Sequence, residues 1–140
     1  MNPRRIDHTA IAVVDLDEAI PRFERLFSLR LTDRAAVPDQ QVDVAFLAAG
    51  DTLLELISPT GDDSGVARFL RTRGESLHHI AFAVYDIRRA LDDLRGEGVR
   101  LIDVEPRRGP HGLIAFVHPQ STGGVLVELV QHVEDQALQA

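Results

Sequence analysis

An internal repeat limits what this chain can fold into more than any other feature. Residues 6–13, Ile-Asp-His-Thr-Ala-Ile-Ala-Val, align with residues 77–84, Leu-His-His-Ile-Ala-Phe-Ala-Val, which sets His8 against His79. The register runs on without a gap, pairing Asp15 with Asp86, Leu16 with Ile87, Ala19 with Ala90, Ile20 with Leu91 and Phe23 with Leu94. Two copies of one supersecondary unit are therefore expected, each burying the same face in the same way.

The unit reads βαβββ. Its opening segment alternates with the two-residue period of a strand, then switches to helical spacing at Leu16, Ala19, Ile20, Phe23 and Phe27, or Ile87, Ala90, Leu91 and Leu94. Asp15 and Asp86 stand where a side-chain oxygen caps the first free amides of a helix. Pro21 falls early enough in its helix to be tolerated. Further strands are expected at 29–35, 42–49 and 52–58 in the first half, and at 99–104, 113–118 and 125–130 in the second. Gly50-Asp51 predicts a tight hairpin turn, and 121–124 a longer one. Between the halves, 59–65 is rich in turn residues, and Asp63 or Ser64 can cap a short helix from Val66 to about Arg71 that ends near Gly74. The expected class is α+β, with module one at about 5–58, a linking helix region at about 59–74 and module two at about 75–132, all within one domain of 1–140. Residues 134–140 read as a frayed tail.

Composition removes several functions. There is no cysteine, which excludes disulfides, thiolate metal sites and a catalytic thiol, so any metal is bound through nitrogen and oxygen. A net charge of −7 opposes general attraction to nucleic acid or anionic lipid, leaving a small molecule as the expected partner. No apolar run reaches membrane-spanning length, and Asp7, Asp15 and Asp17 interrupt the first apolar stretch too soon for a signal peptide. A cytoplasmic protein is expected.

Strand parity then identifies the chemistry. His8, Ala10 and Ala12 share one face of the first strand, as His79, Ala81 and Ala83 do in its repeat, and the small alanines leave open space beside each imidazole. The last strand of each half, Leu53-Leu54-Glu55-Leu56-Ile57 and Leu126-Val127-Glu128-Leu129-Val130, places one carboxylate in an apolar run that holds no lysine or arginine. A buried carboxylate is costly unless paired. Each residue alone reads as structural, but two histidines and two glutamates at matching places of a repeat are satisfied together by one divalent cation. Imidazole and carboxylate suit zinc, cobalt, nickel, manganese or iron better than calcium. The other histidines read as bystanders: His78 faces away by parity, His132 is expected on the surface, His118 before Pro119 as a cap, and His111 in a Gly-Pro-His-Gly loop.

These paired units and four positions resemble the vicinal oxygen chelate superfamily, most closely its methylmalonyl-CoA epimerases. The resemblance runs through Ile6-Asp7-His8, 42–59, Leu77-His78-His79-Ile80, Glu105-Pro106, His111-Gly112, Phe116-Val117-His118-Pro119 and Gly123-Gly124-Val125-Leu126-Val127-Glu128-Leu129. It implies a curved, barrel-like eight-stranded mixed sheet around a metal cleft, with one divalent ion (cobalt, manganese, nickel or zinc) on His8, Glu55, His79 and Glu128. It further implies an acyl-CoA substrate, a homodimer, and alpha-proton abstraction through a stabilised enolate, with Glu55 and Glu128 as the acid/base pair. Some epimerases carry another glutamate at the position of Val44. Arg71, Arg73, Arg107 and Arg108 are candidates for the coenzyme A arm. The alternatives are a glyoxalase I-like lactoylglutathione lyase and a non-catalytic drug-binding protein of the same fold; an extradiol dioxygenase, which uses iron on two histidines and one carboxylate, fits less well.

Overall fold

The computed structural model describes residues 1–134, and its elements follow the repeat. The first half runs β1 (Arg5–Ala12), α1 (Leu16–Phe27), β2 (Arg30–Val37), β3 (Val42–Ala49) and β4 (Thr52–Pro59), and is followed by α2 (Gly65–Arg73). The second runs β5 (Ser76–Ala83), α3 (Ile87–Gly96), β6 (Arg107–Gly109), β7 (Gly112–Val117) and β8 (Val127–His132). The described residues fold as two compact units, 8–78 and 1–7 with 79–134. Within them the strands keep equivalent orders, β2-β3-β4-β1 and β6-β7-β8-β5. In each, the opening strand lies parallel to the closing one and the remaining pairs are antiparallel, giving the mixed α+β class.

In the first unit, Ile11, Val13, Ala45, Leu47, Leu54 and Leu56 pack under Leu16, Ala19 and Ile20 of α1. The opposite face packs Ala12, Val44, Phe46 and Ile57 with Val66 of α2. The second unit repeats the first arrangement, with Phe82, Val84, Ala115 and Leu129 under Ile87, Ala90 and Leu91 of α3. Fully burying one such aliphatic or aromatic side chain is worth roughly 1.5–3 kcal/mol, so these faces fix strand register.

The caps form as expected. Asp15 accepts from the amide of Asp17, Asp86 from that of Arg89, and Ser64 from that of Ala67, so α2 begins one residue before the expected Val66. Gly50 turns the β3–β4 hairpin at φ 61, a left-handed conformation that suits glycine.

The strand expected at 99–104 does not form. Gly98, at φ 78, ends the helical turn and sends the Val99 amide to the Leu94 carbonyl. The Arg100 amide then goes to Ser121 Oγ, and the Ile102 and Asp103 amides both go to the Phe116 carbonyl. Only the isolated bridge between Leu101 and Val117 remains, while Ile102 and Val104 lie exposed. The pairing partner of β7 is instead β6, three residues whose two arginines carry no apolar alternation to mark them. The frayed tail expected from residue 134 lies, beyond Glu134, outside the described residues.

Candidate metal centre

Each unit holds one buried histidine and one buried glutamate in the same local frame. In the first, Ala10 of β1 stands opposite Glu55 of β4, and Phe46 of β3 stands on the other side of Glu55. In the second, Ala81 of β5 stands opposite Glu128 of β8, and Phe116 of β7 on its other side. His8 and His79 each lie two residues before that alanine, so the imidazole shares the carboxylate's face. Ala10 and Ala81 are completely buried, and their single methyl groups leave the space through which imidazole and carboxylate approach.

The distances match as well. His8 Nε2 lies 3.9 Å from Glu55 Oε1, and His79 Nε2 lies 3.4 Å from Glu128 Oε2. Phe46 meets the His8 ring edge-to-face at 5.7 Å and 80°, and Phe116 meets the His79 ring at 5.5 Å and 89°. All four polar side chains are at least nine-tenths buried. At such low exposure an imidazole and a carboxylate interact far more strongly than in water. Neighbouring donors on a first-row cation sit roughly 3–3.6 Å apart when each bond is about 2.0–2.2 Å, so the 3.4 Å of the second pair lies within that range and the 3.9 Å of the first slightly beyond it. One imidazole and one carboxylate in each pair, with no thiolate, are donors that suit such a cation. The conserved geometry of Phe46 and Phe116 escaped the sequence reading, although their matching places in the repeat were a usable signal.

The other histidines divide. His78 packs edge-to-face on Phe69 at 4.8 Å, on the opposite side of its strand from His79, and His118 Nδ1 accepts from the Gln120 amide as a cap. His132 corrects the expectation of a surface residue. Its Nε2 lies 2.5 Å from Oδ1 of the buried Asp7, and its ring stacks on His111 at 6.1 Å. That contact joins residues 125 apart in sequence, beyond the reach of any local pattern.

Of the arginines singled out earlier, Arg71 donates to the Asp62 carbonyl and Arg73 lies over the Phe69 ring. Arg107 pairs with Asp103, and Arg108 is exposed. Val44 is buried in the apolar cluster beside Phe46, so that position carries no further carboxylate.

Residues 7–117 match the Glyoxalase/Bleomycin resistance protein/Dioxygenase superfamily. The chain belongs to this superfamily. Within it, the chain is 37% identical over 132 residues to the mitochondrial methylmalonyl-CoA epimerase of Homo sapiens, covering 93% of this chain and 75% of that protein. It is 37% identical over 130 residues to the ethylmalonyl-CoA/methylmalonyl-CoA epimerase of Cereibacter sphaeroides, covering 91% and 97%. Among solved superfamily structures, a methylmalonyl-CoA epimerase variant from Streptomyces coelicolor in complex with 2-nitronate-propionyl-CoA superposes with a TM-score of 0.91 at 37% identity, covering 94% and 96%. A probable lactoylglutathione lyase of Vibrio cholerae stands further off, at 28% identity over 138 residues. No helix among the described residues is long and apolar enough to cross a membrane.

Proposed function

We propose that the protein is a metal-dependent epimerase that interconverts the epimers of methylmalonyl-CoA, its two modules acting as one domain with a single divalent cation on His8, Glu55, His79 and Glu128. The observation that carries this reading is the duplicated buried His–Glu pair, built on the same alanine and phenylalanine in each unit. The identity of 37% to named epimerases over nearly the whole chain supports the substrate.

Inverting the centre alpha to a thioester requires a proton to leave one face of the carbon and another to arrive on the opposite face. Glu55 and Glu128 come from equivalent places in the two modules, which suits one carboxylate as base and the other as acid, with roles exchanged for the reverse reaction. His8 and His79 hold those carboxylates in orientation, and Phe46 and Phe116 keep the imidazoles dry. A divalent cation bound there supplies Lewis-acid stabilisation of the negative charge that develops on the thioester oxygen. Cobalt, manganese, nickel and zinc all suit the donor set. A homodimer and a cytoplasmic setting belong to the same proposal.

The test is to follow loss of the alpha proton of methylmalonyl-CoA in heavy water, with and without chelator, beside a parallel assay on the glutathione hemithioacetal of methylglyoxal. Exchange that chelator abolishes and cobalt restores supports the reading. Turnover of the hemithioacetal alone points to the lyase, and a fully metal-loaded protein inert to both sinks the enzyme assignment.

A further inference from the structure

The two His–Glu frames differ at the position paired with the residue two before each phenylalanine. In the first unit Val44, two residues before Phe46, pairs with Ala35 of β2, a small side chain packed into the apolar cluster. In the second unit Ile114, two residues before Phe116, pairs with Arg107 of β6. A cation thus stands where the repeat has a methyl group. Its guanidinium carbon lies 6.0 Å from the centre of the Phe116 ring, the same ring that packs on His79 at 5.5 Å, so it is no more than 11.5 Å from the His79 ring.

Its anchorage leaves donors in hand. Nη2 donates to Asp103 Oδ2 at 3.5 Å and Nε lies 3.0 Å from Oδ1 as an ion-pair contact without a hydrogen bond, so Asp103 anchors the guanidinium chiefly by charge. Asp103 is itself fixed by the Phe116 amide, which donates to Oδ2 at 2.8 Å. One hydrogen bond to Asp103 does not exhaust the five N–H donors of the guanidinium, and the side chain keeps 35% of its surface exposed. A structural arginine of this kind could be replaced by an apolar side chain, as Ala35 shows in the other half. Arg107 instead places a partly exposed guanidinium, anchored by Asp103, beside the aromatic wall of a His–Glu pair, and guanidinium donors suit an oxyanion.

We infer that Arg107 is a substrate-binding residue that receives an oxyanion of the acyl-CoA, either the free carboxylate of the acyl group or a phosphate of the coenzyme A arm, with Asp103 as its positioning residue. This rests on the function proposed above for its choice of ligand. The test measures calorimetric Kd and steady-state KM and kcat for methylmalonyl-CoA and for methylmalonyl-pantetheine, which keeps the carboxylate and lacks the phosphates. Wild-type protein is compared with Arg107→Met and Arg107→Lys, and the melting temperature of each is recorded.

Loss of one charge-assisted contact is expected to weaken Kd and raise KM by about 10- to 100-fold in Arg107→Met, with kcat little changed and partial recovery in Arg107→Lys. Equal weakening for both thioesters assigns the carboxylate, and weakening for the coenzyme A thioester alone assigns a phosphate. Unchanged Kd and KM for both compounds, with or without a lower melting temperature, would make Arg107 purely structural and overturn the inference. Wild-type protein that binds methylmalonyl-CoA without epimerising it would defeat the functional reading while the binding comparison still decides Arg107. Binding of neither compound would defeat both.

Discussion

The two units start from one pattern and differ in how they close. The first follows its helix with the eight-residue β2, which pairs along nearly all of β3, buries Val37 in the apolar cluster and packs the half-buried Ala35 against it. The second follows its helix with a loop that contributes one bridge and then the three-residue β6, bringing Arg107 and Asp103 beside Phe116. What both retain is the histidine, the alanine two residues on, the glutamate opposite that alanine and the phenylalanine across from the glutamate. Duplication has kept the parts that place the proposed metal ligands and has let the outer strand vary, so the framework and the substrate contacts are separable features of one fold.

If the halves contribute equally to chemistry, Glu55→Gln and Glu128→Gln should each lower alpha-proton exchange by roughly 10²–10⁴-fold, the usual contribution of a positioned acid or base. Exchange measured separately on each epimer sharpens the comparison. A variant that fails with one epimer only reveals which face its carboxylate serves, and normal exchange in either variant breaks the symmetry.

The phenylalanines test the frames themselves. Phe46→Ala and Phe116→Ala should each cost about 3–5 kcal/mol in urea denaturation. The greater loss is expected at Phe46, which is 2% exposed against 8% for Phe116. The reverse order would mean that the Arg107–Asp103 contacts stiffen the second frame more than packing does.

Two glycines separate backbone freedom from crowding. At Gly112, φ is 151°, and a Cβ would lie 2.1 Å from the Gln131 carbonyl oxygen on the neighbouring strand, so Gly112→Ala should cost about 3 kcal/mol or more. Gly50 has φ 61 with nothing within 4 Å, and Gly50→Ala should cost only about 1–2 kcal/mol, the left-handed penalty alone. Similar melting temperatures for the two variants would contradict the packing described for β7 and β8.

The smallest effects should be the most nearly equal. Asp15→Ala and Asp86→Ala each remove one helix cap and should each cost about 1 kcal/mol, read from the shift in denaturation midpoint. Unequal losses would show that the two helices depend on their caps to different degrees.

Sequence showed the repeat, the helices with their caps, most strands and the His–Glu pattern, because each is written in local periodicity and then written again. Val42–Ala49 has the bounds of β3 because alternation and flanking turns agree there. It misled at 99–104, a strand-like run rich in Val, Leu and Ile where Gly98 and Ser121 divert the backbone donors. It was silent on β6, whose arginines pair through register with β7 rather than through any pattern of their own. It misplaced His132, because the carboxylate that holds it belongs to Asp7 at the other end of the chain. The missed features depend on particular polar and backbone partners, near in sequence for β6 and distant for His132, and not on an apolar period.

The central claim is that the two His–Glu pairs serve a single cation, and cation stoichiometry tests it most directly. Apo protein titrated with cobalt should bind one equivalent per chain, and His8→Ala and His79→Ala should each abolish tight binding of that same equivalent while the protein remains folded by circular dichroism. Two equivalents per chain, or one full tight equivalent surviving in either single variant, would show that the pairs act independently and would contradict the account.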